Sequence, residues 1–399
     1  MGRVAQAKEV NESRTKIISL LTVLITVATA VGCQSIPERR DVRPLVMRDV
    51  PANRLAYRFE ADTGPPADLS IDEVPEKIEA VQADFTTRRP DDALLRTVLS
   101  PDSQRVLALY GTDAEPSSAF RIDLYAADGK FLRNLTPASL SCVFPETVGW
   151  STDGSFITFI AHRAPTPSPT PTPRVSDTEI FPEPSASPSV APAFPLVPMF
   201  STEQIYVCNR DGYDLKPLTT REGLIYFYSA WAPDSRALVA LACKEAEWEA
   251  REREFKMPAG RPRLITLDGK ERLLDDRLTE ALPVWSSDAS KIATAFDTNV
   301  AIYDAAGPNP THARMDLREA LIRASVIYEQ KQRGKNREGA DLSTSALPAS
   351  FNPVTRVYWP TPDRLYLQTA YVRLIPNEPI ITFQRWHLLT LSAQAAILK

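Results

Sequence analysis

The chain has 399 residues, 43% of them apolar and 24% charged, with 46 basic side chains against 50 acidic ones. That balance belongs to a globular chain and excludes both pervasive disorder and a basic nucleic-acid footprint. Its 35 prolines, 14 glycines and three histidines (His162, His312, His387) argue against a helical bundle and against histidine-rich metal chemistry.

The first element in chain order is an export signal. Arg3, Lys8, Arg14 and Lys16 precede an apolar run from Ile17 to Gly32, interrupted by Ser19, Thr22, Thr26 and Thr29. A basic start, a short apolar middle and small residues at the end fit a secretory signal better than a membrane span. The run ends Ala30-Val31-Gly32-Cys33, which resembles the bacterial lipobox. The resemblance implies lipidation of Cys33, removal of residues 1–32 and a lipid-anchored envelope protein. Gln34 in place of aspartate implies the outer membrane, facing the periplasm, in a Gram-negative cell. A plain signal peptide with an incidental cysteine and an uncleaved anchor are the alternatives. Cys142, Cys208 and Cys243 remain, an odd number that allows at most one disulfide. Cys208 and Cys243 lie in strand-like apolar runs, where a buried thiol is expected.

Beyond residue 50 the sequence repeats. An apolar or tryptophan residue, a small residue and a turn aspartate recur in Leu99-Ser-Pro-Asp102, Trp150-Ser-Thr-Asp153, Trp231-Ala-Pro-Asp234 and Trp285-Ser-Ser-Asp288. A longer version is Trp359-Pro-Thr-Pro-Asp363. Each is followed by a strand-like run: Val106–Tyr110, Phe156–Ala161, Leu238–Ala242, Ile292–Phe296 and Leu365–Thr369. A second half-repeat places Asp-Gly between two such runs, at Asp128-Gly129, Asp211-Gly212 and Asp268-Gly269. Asp-Gly is a strong hairpin signal because glycine accepts the positive φ of the tight turn. Asp304-Ala-Ala-Gly307 is a looser fourth version, and Trp386–Leu391 followed by Ser392-Ala393-Gln394 is the fifth.

Each unit therefore reads as four short antiparallel strands, with turn aspartates 51, 81, 54 and 75 residues apart. The longer intervals hold insertions. Residues 164–198 contain eleven prolines and are expected to be disordered. Lys244 to Lys256 is a charged helix with Glu247/Arg251 and Glu249/Arg253 at pairing distance. Within a helical insertion over 308–350, Asp316 to Arg333 repeats apolar residues at Leu317, Leu321, Ala324 and Ile327. Asp316 and Glu319 suit a capping box, and Gly334 suits a stop. That apolar stripe either docks on the propeller edge or meets a partner.

The Trp/Ser/Asp turn and the strand–Asp-Gly–strand hairpin ending in Leu135-Thr136 or Leu218-Thr219 resemble the TolB-type β-propeller repeat. The resemblance covers about residues 94 to 395. It implies an all-β fold, a single propeller of four-stranded blades over 51–399, with residues 33–50 as a tether. Five blades are readable, and Arg54–Ala61 with Lys77–Phe85 are expected to supply a sixth. A β-sandwich or two smaller β domains are the competing architectures. Residues 34–90 are too few for the amino-terminal α/β domain of TolB-type proteins, so the resemblance carries the fold further than the role.

No catalytic motif is present. Gly149-Trp-Ser151-Thr-Asp153 lacks the second glycine of a nucleophile elbow and is already a blade turn. His387 in Arg385-Trp-His-Leu-Leu reads as a packed residue, while His162 and His312 read as exposed. The recurring aspartates occupy equivalent turns of separate blades and do not converge on calcium, and Trp150, Trp231 and Trp285 read as inter-blade packing. No catalytic, metal or cofactor residue is assigned. The expectation is a non-enzymatic, membrane-anchored envelope propeller that binds a protein or peptide partner and no nucleic acid. A glycan- or small-ligand-binding sensor is the alternative, and a propeller enzyme such as a lyase or lactonase a more remote one.

Overall fold

Proline-punctuated apolar runs between aspartate turns fold as antiparallel sheets stacked face to face. The computed structural model describes residues 46–67, 69, 77–112, 119–164, 199–336, 349–374 and 381–393. The signal segment with Cys33 and most of the proline-rich insertion, from 165 to 198, lie outside these residues. After β1 (Ala56–Thr63) and helix α1 (Glu79–Arg88), the chain builds five sheets in succession. The first contains β2 (Ala93–Leu99), β3 (Arg105–Gly111), β4 (Arg121–Ala126) and β5 (Phe131–Asn134). The second contains β6 (Leu140–Val143), β7 (Gly149–Trp150), β8 (Phe156–Arg163), β9 (Gln204–Asn209) and β10 (Lys216–Pro217). In the third are β11 (Leu224–Trp231), β12 (Ala237–Lys244), β13 (Arg261–Thr266) and β14 (Glu271–Leu273), with α2 (Glu245–Arg253) after β12. The fourth has β15 (Val284–Trp285), β16 (Lys291–Phe296), β17 (Asn299–Asp304) and β18 (His312–Asp316). Helix α3 (Arg318–Asn336) leads to the fifth: β19 (Ala349–Phe351), β20 (Val354–Thr361), β21 (Arg364–Leu374) and β22 (Ile381–Ser392). This is the all-β propeller architecture that the repeat implies.

Central strands are covered on both faces, which is why they read as continuous apolar runs rather than as alternation. Leu107, Leu109 and Ile122 of the first sheet pack on Ile157, Phe159 and Tyr206 of the second. Ile160 and Ile205 meet Tyr226 and Leu238, Val239 and Leu264 meet Trp285 and Ile292, and Val300 and Ile302 meet Leu365 and Leu389. The indoles tie neighbours together: Trp150 Nε1 donates to Val98 O at 3.1 Å, Trp231 Nε1 to Thr158 Oγ1 at 3.0 Å, and Trp285 Nε1 to Ala230 O at 3.1 Å.

The two segments expected to begin a sixth blade do other work. β1 is the outer strand of the fifth sheet, with Tyr57 opposite Leu391 and Phe59 opposite Leu389. The strand that follows Trp386–Leu391 in the repeat thus comes from the amino-terminal side of the chain. Residues 79–88 are helical because Glu79, Ala80, Gln82 and Ala83 are good helix formers and Val81 and Phe85 share one face. That face covers Val106, Ala108, Tyr110 and Tyr125, the side of the first sheet turned away from the second. Gly129 makes the fit possible: its φ is +89°, and a Cβ there would sit 2.5 Å from Ala80 O of α1. Among the described elements no extensive contact joins the first and fifth sheets. Val46–Val50, counted as tether from sequence, belongs to the folded unit, with Val50 buried.

The Leu-Thr repeat ends are backbone clamps. Leu135 N donates to Ile122 O while Thr136 Oγ1 accepts from Ile122 N at 3.1 Å. Leu218 and Thr219 treat Ile205 in the same way, with the hydroxyl bond at 3.0 Å. In the third sheet Leu274 N still donates to the carbonyl opposite, but that residue is Pro262, which has no N–H to satisfy. Threonine is therefore dispensable there. Asp275 stands in its place and accepts from Tyr303 OH at 2.6 Å.

Both helical insertions form, with corrections. Helix α2 does not make the expected Glu247/Arg251 and Glu249/Arg253 pairs: Glu247 takes Arg261 instead, and Arg251 takes Glu280. Helix α3 runs through Gly334 to Asn336, because one interior glycine costs only about 1 kcal/mol. Asp316 Oδ1 accepts from Arg318 N at 2.9 Å, whereas Glu319 approaches Arg323 at 3.9 Å. Leu317 and Leu321 dock into the core between the fourth and fifth sheets, Ala324 is buried, and Ile327 stays 48% exposed.

Candidate functional site

Antiparallel pairing sorts the connections between strands onto two ends of each sheet. At one end lie the short aspartate turns. Asp102, Asp153, Asp234 and Asp288 each accept from the backbone N–H two residues on. Ser103, Gly154, Ser235 and Ala289 follow them at positive φ. The Ser100 hydroxyl and Gln104 amide help pull the Asp102 carboxyl down to about 2. These ends adjoin one another: Asp153 N donates to Ser235 Oγ at 2.9 Å, and Arg210 reaches Asp102 at 2.6 Å. Each recurring aspartate thus serves its own turn.

The opposite end carries the longer connections, among them 112–120, 164–203, 245–260 and 317–353, whereas 305–311 lies at the aspartate-turn end. In the fourth sheet the same end is closed by the tight Asp297-Thr298 turn between β16 and β17. This low wall opens a groove of about 530 Å³ between the third, fourth and fifth sheets. Leu278, Ala281, Phe296, Pro353 and Val354 line it. The Val354 amide donates to Asp297 O at 2.8 Å, which fixes the floor.

Helix α2 and the loop behind it form one bank of the groove. Trp248 anchors the helix between Phe144 and Phe227, with ring centroids 5.7 and 5.6 Å away. Glu247 receives Arg261 through two bonds of 2.7 and 2.8 Å, and that guanidinium is the main reason its carboxyl falls to about 2. Arg251 Nε donates to Met257 O at 2.6 Å, and Lys256 N donates to Arg251 O at 2.9 Å. The loop so held presents Phe255 at 98% and Met257 at 70% exposure. Sequence reasoning missed this pair by reading Lys244–Lys256 as a charged insert suited to a short exposed helix and stopping before Met257. The available signal was Phe255-Lys-Met257 standing between a glutamate-rich run and Pro258.

The buried ionic groups hold strands together. Asp123, fully buried, accepts from Arg89 Nε at 2.8 Å, Asn134 Nδ2 at 2.7 Å and Tyr110 OH at 3.3 Å. Asp304 accepts from Lys291 Nζ at 2.9 Å and Thr311 Oγ1 at 2.7 Å. Burial favours the neutral acid, but Thr311 and Lys291 outweigh it and keep the Asp304 carboxyl below its ordinary value. His387 is packed as expected: Nδ1 accepts from Asp62 N at 3.2 Å, so Nε2 carries the proton toward Thr369 Oγ1 at 3.0 Å. His312 is exposed, whereas His162, expected to be exposed, is half-buried 3.5 Å from Glu203. Cys142, Cys208 and Cys243 are free and buried, and burial pushes the thiols of Cys208 and Cys243 up to about 12.

Among the described residues no group of three or more His, Cys, Asp or Glu is arranged to hold a metal ion. No described helix is long and apolar enough to cross a membrane. No protein-family model matches this chain, and no curated protein does. Solved structures with a similar strand arrangement are β-propeller proteins. One is the hydrazine synthase of Kuenenia stuttgartiensis, 12% identical over 70% of this chain and 71% of that one, TM-score 0.34. Prolyl oligopeptidase B of Galerina marginata is 8% identical over 76% of this chain and 43% of its own, TM-score 0.36. A prolyl endopeptidase is 9% identical over 84% and 50%, TM-score 0.35. The chain spans half or less of the two peptidases.

Proposed function

We propose that this protein is a non-catalytic, TolB-like propeller of the bacterial cell envelope, tethered through a lipid on Cys33, that binds a protein or peptide partner. The observation that carries the reading is the apolar groove at the end of the sheets opposite the aspartate turns, bordered by helix α2 and the loop behind it. Loops on a rigid scaffold are where recognition residues concentrate. The buried ionic groups of this fold are engaged in holding strands, which favours binding over turnover. The basic leader and Ala30-Val31-Gly32-Cys33 support the envelope address.

Site-specific photo-crosslinking in a bacterial host tests this. Probes at Met257, Glu280 and Thr355 are expected to capture a discrete partner, and probes at Asp128, Asp211 and Asp268 on the opposite end are not. Equal capture from both ends overturns the reading. So does turnover of peptides, glycans or lactones by purified protein that is lost on substitution at the groove.

A further inference from the structure

We propose that Phe255, Met257 and Asp297 form a docking site for a partner segment that carries a basic side chain between apolar ones. The inference rests on the binding reading above and names the chemistry of what is bound. A phenylalanine at 98% exposure leaves its whole ring in water, an arrangement that a binding surface explains better than folding does. Its backbone is held at φ +52°, in the left-handed region that bulky residues avoid. Four contacts keep it there: Phe255 N to Glu252 O at 3.0 Å, Lys256 N to Arg251 O at 2.9 Å, Arg251 Nε to Met257 O at 2.6 Å, and the Arg251–Glu280 ion pair. The knob is thus fixed before any partner arrives, which lowers the ordering cost of binding.

Charge selects the occupant. Within the groove the Arg251 and Glu280 charges cancel each other. The Asp297 carboxylate is exposed and has no ion-pair or hydrogen-bond partner among the described residues. Beside the knob the exposed carboxylates Glu245, Glu249 and Glu252 outnumber the exposed cations Lys244 and Arg253, none of them in an ion pair among the described residues. An apolar side chain on Phe255, Met257 and the groove, with a neighbouring ammonium or guanidinium at Asp297, satisfies both features. The same carboxylates repel an acidic segment or an anionic lipid surface, which favours protein over membrane.

The test uses the full chain carrying Cys33→Ser and a random linear-peptide display library. Wild type is expected to enrich sequences with lysine or arginine flanked by apolar residues. Phe255→Ser with Met257→Ser is expected to weaken the selected peptides about tenfold or more with an unchanged melt. Asp297→Asn is expected to weaken them about fivefold and to erase the basic preference. Enrichment of acidic sequences, or full-strength binding by the double variant, overturns the proposal. If selected peptides ignore these residues but are lost on substitution of Arg121, which opens β4 directly after the 112–120 connection (Arg121→Ser), binding at this end survives and the docking site falls. If nothing is enriched, both fall. Co-sedimentation with phosphatidylglycerol-containing vesicles that disappears in the double variant makes the knob a membrane contact and also overturns the proposal.

Discussion

Arg385 grips Asp62 with two parallel hydrogen bonds, Nε to Oδ1 at 2.7 Å and Nη2 to Oδ2 at 2.8 Å, across 323 positions of sequence. The pair clasps the first strand of the propeller to the last. Asp62 lies at a bulge in β1, at φ 56°, so that its carboxylate faces Arg385 while its amide reaches His387. Arg385 also donates to Ser325 Oγ of α3 at 3.0 Å and lies over Tyr328. One guanidinium thus joins the start of the fold, its last strand and an insertion.

Removing Asp62 leaves a guanidinium that is only 4% exposed without its counter-charge. Asp62→Asn is expected to destabilise the protein by about 3 kcal/mol. Arg385→Met in the same chain is expected to cost less than the two single changes added together. Urea unfolding of both single variants and the double variant closes the cycle. Additive losses would show that the two groups are not coupled.

Burial holds the His387 imidazole down to about 4. An unfolded chain titrates this group near 6.5, so between pH 6.5 and 4 the unfolded state binds more protons. Stability from this site is therefore complete above pH 6.5 and declines as the pH falls toward 4. At pH 5 the loss is about 2 kcal/mol relative to pH 7. His387→Gln keeps a donor and an acceptor without the titration. Its melting temperature should fall less between pH 7 and 5 than that of wild type; parallel curves would sink the assignment.

The blades were legible because a turn needs a specific chemistry at a specific place. Asp102, Asp153, Asp234 and Asp288 each cap the amide two residues on, and Asp-Gly marks the hairpins of the first three sheets. The closing strand was not legible as such, since Ala56–Thr63 pairs with β22, and nothing local in either run specifies so distant a partner. Helix α1 was assigned to a blade because its two buried residues, Val81 and Phe85, are too few to show a period. The groove escaped for a related reason. It exists because Asp297-Thr298 is short where the other sheets carry long connections, and its knob is two residues in a charged context.

The Leu-Thr clamps make a quantitative prediction. Thr136→Val and Thr219→Val preserve shape but leave the buried Ile122 and Ile205 amides without their side-chain acceptor. Each is expected to cost about 1–2 kcal/mol. The amide of residue 122 in Thr136→Val should also exchange with deuterium faster than in wild type. Unchanged protection would mean that the hydroxyl contributes nothing to the clamp.

Helix α3 separates docking from display within one apolar stripe. Leu321 is 1% exposed in the core shared by the fourth and fifth sheets, while Ile327, two turns on, is 48% exposed. Leu321→Asp drives a carboxylate among Leu317, Met315 and the strands below, and is expected to cost about 4 kcal/mol or more. Ile327→Asp changes a surface position and is expected to stay within about 0.5 kcal/mol of wild type. Guanidinium unfolding of the two variants measures both. Equal losses would mean that the helix is buried along its whole stripe, and two negligible losses would mean that it does not dock. With Leu321 committed to the core, the exposed apolar residues of this helix left for a partner are Ile322 and Ile327.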